Sequence, residues 1–290
     1  MNSYKIKTKI RRFINKVFKF DRPSSYPYIT GDSFRSLCHH YFDEISTITP
    51  NSVVNGDRVF VRNNLLHDFF KEIHPFIKEK YVLISHNDDD TIDEKFLSYI
   101  NDEKIIHWFG VNMNIKHPKV TPLPIGLDNY FYKSNTNINL ICSTAKADKT
   151  PKIIYGFNHP SILKNRASAL IALGGTDAAE KINKTISTEE YYSKVSSYQM
   201  IASPEGMGID CFRTWEAMLL GVIPIVQRSS VTEYYETLNL PIYIINSWED
   251  IKVLNPEKIS SIYNTNIQNF NNPALFMDYW VSKIINTPIS

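Results

Sequence analysis

Cysteine is scarce in this sequence: three residues in 290 (Cys38, Cys142, Cys211), scattered and odd in number. That excludes a disulfide framework and fits a reducing compartment. Long apolar runs are missing too. No stretch approaches the ~18 apolar residues of a membrane-spanning helix, and residues 1–22 have no continuous apolar segment of signal-peptide type. There is no repeat with a period of about 20–50 residues. The histidines show no metal-ligand spacing; His39, His40, His67 and His74 read as surface or capping residues. A P-loop, a zinc pattern and a Ser-His-Asp arrangement are all absent.

What is present is an ordinary globular composition with an uneven charge distribution. Hydrophobic residues make up 43% and charged residues 21% of the chain, enough for one large core or two of ordinary size. Eight of the 32 Lys and Arg residues, but only one of the 30 acids, fall within residues 1–22. The rest of the chain is therefore mildly acidic. Ile6, Ile10, Phe13, Ile14, Val17 and Phe18 make one apolar stripe at helical spacing, with the basic residues around it. This is the pattern of a helix lying in an anionic membrane interface. It predicts peripheral attachment of a cytoplasmic protein through residues 5–22. The plainer alternative is a terminal helix docked on the protein's own body. Nucleic acid is not expected, because the bases line an apolar stripe and no basic domain flanks them.

Beyond residue 22, strand and helix patterns alternate, which predicts a parallel sheet with covering helices. In the first half a helix is expected over residues 32–45, a strand over 58–62 and a helix over 65–77. A strand over 81–85, a short helix over 94–100, a strand over 105–109 and an extended run over 120–127 follow. Residues 133–150 are rich in Ser, Thr, Asn and Lys and read as a linker. The rhythm then restarts with a strand over 152–157, a helix over 161–173 and a capped helix over 188–196. The predicted organisation is a membrane-association segment (1–22), an α/β domain (23–132), a linker (133–150), a second α/β domain (151–275) and a C-terminal helix (276–290).

The most informative stretch is residues 199–226, read as strand, loop, helix and strand. Gly206 and Gly208 permit a tight turn and close approach to a ligand. Asp210 is placed to cap the following helix, with Phe212, Trp215 and Leu219 facing the core and Gly221 at its C′ position. Arg213 and Glu216 share one face near the helix start. A helix N-terminus after a Gly-rich loop suits a diphosphate, Arg213 can add charge-assisted hydrogen bonds, and Glu216 can accept from ribose hydroxyls. The alternative is an internal Arg–Glu pair on a solvated face.

Residues 203–210 (Ser-Pro-Glu-Gly-Met-Gly-Ile-Asp), 213–217 (Arg-Thr-Trp-Glu-Ala) and 221–226 (Gly-Val-Ile-Pro-Ile-Val) together resemble the donor-site signature of exostosin-like glycosyltransferases. The resemblance covers about 28 residues and is weaker elsewhere. It implies the GT-B architecture, α/β with two Rossmann-like domains facing a cleft, and a nucleotide-sugar donor, with a UDP-sugar as first expectation. It places Arg213 on the diphosphate and Glu216 on the ribose, with Pro204, Gly206, Gly208 and Asp210 around the donor. Arg166, in the helix after the first strand of the second half, is expected to face the phosphates, or else to be an ordinary solvated arginine. Arg228 and Ser229 follow the 222–226 strand and are further donor candidates. Together with the basic stripe at residues 5–22, the resemblance leads to the expectation of a glycan or lipid-linked acceptor in cell-surface polysaccharide synthesis, with no metal required.

Asp88-Asp89-Asp90 follows a strand, where a catalytic carboxylate is wanted. The segment 83–90 resembles the corresponding strand end of that family, which implies Asp89 as the general base; His86 is a second candidate because of its ordinary pKa. The alternatives are a solvated turn, or a manganese or magnesium site of GT-A type built on Asp88 and Asp90. An inactive nucleotide-binding or scaffold protein is the remaining reading.

Overall fold

A computed structural model describes Arg12 and residues 22–130, 138–144, 148–157, 164–183 and 186–289. The chain divides into two compact units. The first comprises Met1–Ile125, Asn129–Tyr132 and Trp280–Ser290; the second comprises Gly126–Asp128 and Lys133–Tyr279. The final helix, Met277–Ile285, therefore starts with the second unit and ends with the first. Each unit is built on one five-stranded, wholly parallel sheet. The α/β class and the two parallel sheets are those the alternating pattern predicts.

In the first unit β1 (His40–Phe42), β2 (Asp57–Arg62), β3 (Tyr81–His86), β4 (Ile105–Val111) and β5 (Val120–Leu123) lie side by side in sequence order. Successive side chains alternate between faces. Val59, Val61, Tyr81, Leu83 and Trp108 pack with Phe69, Phe70 and Phe96 on one face. Phe60, Val82, Ile84 and Phe109 are also buried, so the strands are covered on both sides, as parallel strands are. Two expectations are corrected here. Residues 32–45 are not one helix but a short helix, Gly31–Arg35, followed by β1. The 65–77 helix stops at Glu72 and gives way to a 3-10 turn at His74–Phe76, because Pro75 cannot donate to a continuing helix.

The second unit holds β6 (Thr150–Tyr155), β7 (Ala179–Lys181), β8 (Tyr198–Ala202), β9 (Ile223–Gln227) and β10 (Tyr243–Ile245), in the spatial order β10-β9-β8-β6-β7. Counted from β6 this is the doubly wound order 2-1-3-4-5, which reverses direction between β6 and β8. Helix Lys164–Gly174 supplies Ala169, Ala172 and Leu173 to one face, against Ile153, Met200, Ile223 and Trp248. Helix Thr188–Ser196 starts at a capping box in which Ser187 Oγ accepts from Glu190 N at 3.2 Å and Glu190 returns to Ser187 N at 3.0 Å. Pro224 is tolerated inside the sheet because the ladder with β10 begins only at Ile225.

Short elements are where the sequence reading fails. The segment read as a 133–150 linker contains a helix, Ile138–Ser143. The helix Ser230–Thr237 and strand β7 were not anticipated. The signal for Ser230–Thr237 was present in Ser229 and Thr232, whose side chains cap its first turn. Most of the basic segment 1–22 lies outside the described residues. The two members that are described both face the protein. Arg12 Nε donates to Asp43 O at 2.9 Å, with its guanidinium 4.5 Å from the Phe42 ring centroid. Arg22 is buried between Asp32 and Glu44, at 2.7 and 2.5 Å. They are thereby removed from any membrane-facing set.

Candidate functional site

In doubly wound sheets ligands settle beyond the carboxyl ends of the strands, where the winding reverses. In the second unit that point lies past Tyr155 and Ala202, and the chain fills it with Phe157, the 203–211 loop and the start of helix Phe212–Leu219.

The loop is fixed from below. Ser203 Oγ and Thr214 Oγ1 share a hydrogen bond at 2.8 Å. Asp210 accepts from Cys211 N at 2.8 Å, from Trp215 Nε1 at 2.8 Å and from the Tyr235 hydroxyl at 2.7 Å, and is itself buried. The expectation for Asp210 is thus corrected. The N-cap residue is Cys211, which gives no side-chain cap, and Asp210 turns inward because two buried donors compete for its carboxylate. Phe212 and Leu219 are only half-buried, whereas Trp215 is 2% exposed. Gly221, with φ +69°, occupies the left-handed position after the helix.

Without a side-chain cap, the amides of Phe212 and Arg213 have no protein acceptor among the described residues. Two guanidinium groups stand beside them. Arg166 Nε donates to Glu205 O at 3.1 Å, and a Cβ on Gly206 would lie 3.2 Å from Arg166 Nη2. Gly206 is small so that this arginine can cross the loop. Arg213 lies with Cζ 5.5 Å from the centroid of Phe157 and against the Tyr191 hydroxyl, and its Nε is buried without a hydrogen-bond partner. It has no ion pair among the described residues; the internal Arg213–Glu216 pair does not form. Burial and then the Arg213 charge push the Arg166 pKa down. The arrangement places two guanidinium groups beside two amides that have no protein acceptor among the described residues, a donor set suited to an anion.

Glu216 stands one turn deeper, 9% exposed, and accepts from the Tyr192 hydroxyl at 3.1 Å. Pro204 is buried, and its carbonyl accepts from Cys211 Sγ at 3.4 Å. Burial pushes that thiol up to about 11, so it is not a thiolate nucleophile at neutral pH. Gly208 O accepts from Gly206 N at 3.1 Å, which tightens the turn. Two candidates have other tasks. Arg228 bonds Asn246 Oδ1 at 2.9 Å and pairs with Glu233 at 3.4 Å. Ser229 caps helix Ser230–Thr237, accepting from Thr232 N at 3.1 Å.

In the first unit the candidates at the end of β3 separate cleanly. His86 is 3% exposed, and both its nitrogens are engaged. A carbonyl only accepts, so Nε2 donates to Pro124 O at 3.0 Å; Nδ1 accepts from Asn87 N at 2.7 Å. The ring is a neutral positioning element with no nitrogen left for a substrate. Burial pushes its pKa down to about 4. A histidine with a lowered folded pKa stabilises fully above its unfolded value near 6.5 and loses that stability as pH falls toward 4. Unfolding free energy measured by denaturant titration should fall by about 3 kcal/mol across that window from His86 alone, while the His86 ring resonances stay constant down to about pH 5. A ring that titrates near 6.5 would overturn this.

Asp88 is tied to Arg62 at 3.0 Å. Asp89 is exposed, and its carboxylate has no hydrogen-bond or ion-pair partner among the described residues. Desolvation, then the neighbouring Asp88 and Asp90, raise its pKa. No three His, Cys, Asp or Glu side chains converge as metal ligands among the described residues. His74, read as a surface residue, is buried between the Tyr81 hydroxyl (2.7 Å) and Asp102 (3.1 Å).

No protein-family model and no curated protein sequence matches this chain. Solved structures do resemble it in fold. A pneumococcal O-GlcNAc transferase in complex with UDP and GlcNAc is 12% identical over 81% of this chain, with a TM-score of 0.42. A glycosyltransferase from Rickettsia africae is 12% identical over 99% of this chain and 85% of its own, also at 0.42. A UDP-N-acetylglucosamine 2-epimerase is 12% identical over 79% of this chain and 70% of its own, at 0.30. The chain spans 58% of the length of the pneumococcal transferase. Likeness of fold at this level does not carry a function.

Proposed function

We propose that this chain is a glycosyltransferase of GT-B type, exostosin-like in its donor site, that binds a nucleotide sugar in its second unit. The observation that carries the reading is the cradle formed by Arg166, Arg213 and the uncapped amides of Phe212 and Arg213 at the point where the winding reverses. A diphosphate would relieve the repulsion between the two arginines and supply acceptors for Arg213 Nε and the amides. Met in this way, the leaving diphosphate needs no metal. Glu216, oriented by Tyr192, would accept from the ribose hydroxyls. UDP is the first nucleotide to test.

In this reading the acceptor, a glycan or lipid-linked sugar, is handled by the first unit, where Asp89 takes the proton of the attacking hydroxyl. A raised carboxylate pKa suits that task better than an ordinary one. His86 orients the turn that carries Asp89 and does not itself exchange protons. Attachment to an anionic membrane through residues 5–22 belongs to the same proposal, resting on the six basic residues there other than Arg12 and Arg22.

The first test is thermal stabilisation by nucleoside diphosphates, since a ligand selective for the folded state raises the unfolding temperature. Glu216→Ala should weaken UDP binding about tenfold. The same substitution should cost nothing against 2′,3′-dideoxy-UDP, because the hydroxyls it serves are gone. Equal losses for both ligands would make Glu216 a structural partner of Tyr192 only.

A further inference from the structure

The carboxyl ends of β1, β2 and β3 meet in a group of buried charges that the nucleotide site does not use. Arg22 lies between Asp32 at 2.7 Å and Glu44 at 2.5 Å, all three no more than 5% exposed. Glu44 Oε2 meets Arg62 Nη1 at 3.3 Å, and Arg62 Nη2 meets Asp88 Oδ2 at 3.0 Å. On the other side, Asn87 Nδ2 donates to Asp32 Oδ1 at 3.0 Å. Asn87 and Asp88 are consecutive, so these links close into a ring of six residues. Asn129 braces it, accepting from Asp32 N at 2.7 Å and donating to Asn87 Oδ1 at 2.9 Å. The ring reaches the main chain of Asp89. Asp88 Oδ1 accepts from Asp89 N at 3.0 Å, and Asn112 Nδ2 donates to Asp89 O at 3.2 Å. Asn87, at φ +65°, supplies the left-handed step into this turn, and a Cβ on Gly31 would collide with its Oδ1.

We propose that Arg62 and Asn87 are positioning residues for Asp89, which the ring, closed through Arg22, Asp32 and Glu44, holds in a fixed direction at the strand ends. This role rests on the reading of Asp89 as the base. Stability alone does not account for the ring, because buried ion pairs are often no more stabilising than packed apolar residues of the same volume. What they add is geometry: each guanidinium joins two carboxylates through a planar fork. A base works only within hydrogen-bond reach of the proton it takes. Here the amide and the carbonyl of Asp89 are both held while its side chain stays exposed. Desolvation, then Asp88 and Asp90, raise the Asp89 pKa, and Arg62 opposes them. The ring therefore bears on the direction and the basicity of Asp89 together.

The test is NMR on the full chain with isotope-labelled aspartate. In the wild type the amides of residues 87–90 should be as rigid as the strands, with order parameters of about 0.85. Arg62→Met opens the ring at a corner whose side chain is 18% exposed. Asn87→Gly is the gentler variant, should Arg62→Met not fold: it keeps the left-handed backbone accessible but loses the bonds to Asp32 and Asn129. Both should drop the turn below about 0.6 while the strand amides stay rigid. The Asp89 carboxyl should titrate higher in Arg62→Met and return toward the wild-type value in Arg62→Lys. UDP release from a panel of UDP-sugars should fall in kcat about a hundredfold in both ring variants, with UDP affinity unchanged. Variants that only unfold at a lower temperature, with the turn, the Asp89 titration and kcat as in the wild type, would make the ring structural and overturn the proposal. Full UDP release by Asp89→Asn would overturn the base reading instead, so the two failures are distinct.

Discussion

Arg213→Ala should lower the affinity for UDP about a hundredfold at a cost in stability of only about 1 kcal/mol. Two charge-assisted hydrogen bonds to phosphate are worth about 3 kcal/mol together, which is about a hundredfold in the dissociation constant. The folded state forfeits the hydrogen bond to Tyr191 and the contact with Phe157, but no ion pair among the described residues. Removing it also relieves the like charge that depresses Arg166. Isothermal titration with UDP, paired with thermal unfolding, reads both quantities. Arg213→Lys should recover part of the affinity, since a point charge remains but the planar fork does not. Unchanged affinity in Arg213→Ala would remove the diphosphate from this cradle and with it the transferase reading.

Asp210→Ala should be the most destabilising substitution at the site, by about 3 kcal/mol. It strips the acceptor from Trp215 Nε1 and the Tyr235 hydroxyl, both buried at 2% and 1% exposure. Neither donor can reach water in the packed interior. In a unit of this size the shift in unfolding temperature should be about 10 °C. Asp210→Asn keeps one oxygen and should lose about half as much. Because the carboxylate also receives Cys211 N, the loop that presents Gly206 and the free amides should loosen, and UDP binding should weaken in step with stability. A drop in affinity without a drop in stability would mean that Asp210 touches the ligand after all.

Part of this site was legible in the chain itself. The two glycines, the Arg213–Glu216 spacing, the C′ position of Gly221 and the alternation of strand and helix are local signals. Each depends on backbone geometry over fewer than about ten residues. Elsewhere a local rule met a distant competitor. Asp210 has the composition of a helix cap, yet Tyr235, 25 positions on, claims its carboxylate. His86 has the unperturbed chemistry of a base, yet Pro124, 38 positions on, occupies Nε2. Arg228 and Ser229 sit where donor contacts are wanted, but Asn246 and the helix that Ser229 starts use them.

The sequence by itself determined the α/β class, the repetition of that pattern and the helix that follows the two glycines, because those follow from periodicity and from what glycine can do locally. Only the tertiary structure decided that Arg166 joins Arg213 beside Gly206, and that among the described residues Asp88 has an ion-pair partner while the Asp89 carboxylate has none. Such groupings depend on strand order and on which buried partner wins each polar group. Those are long-range outcomes of packing that no window of sequence contains.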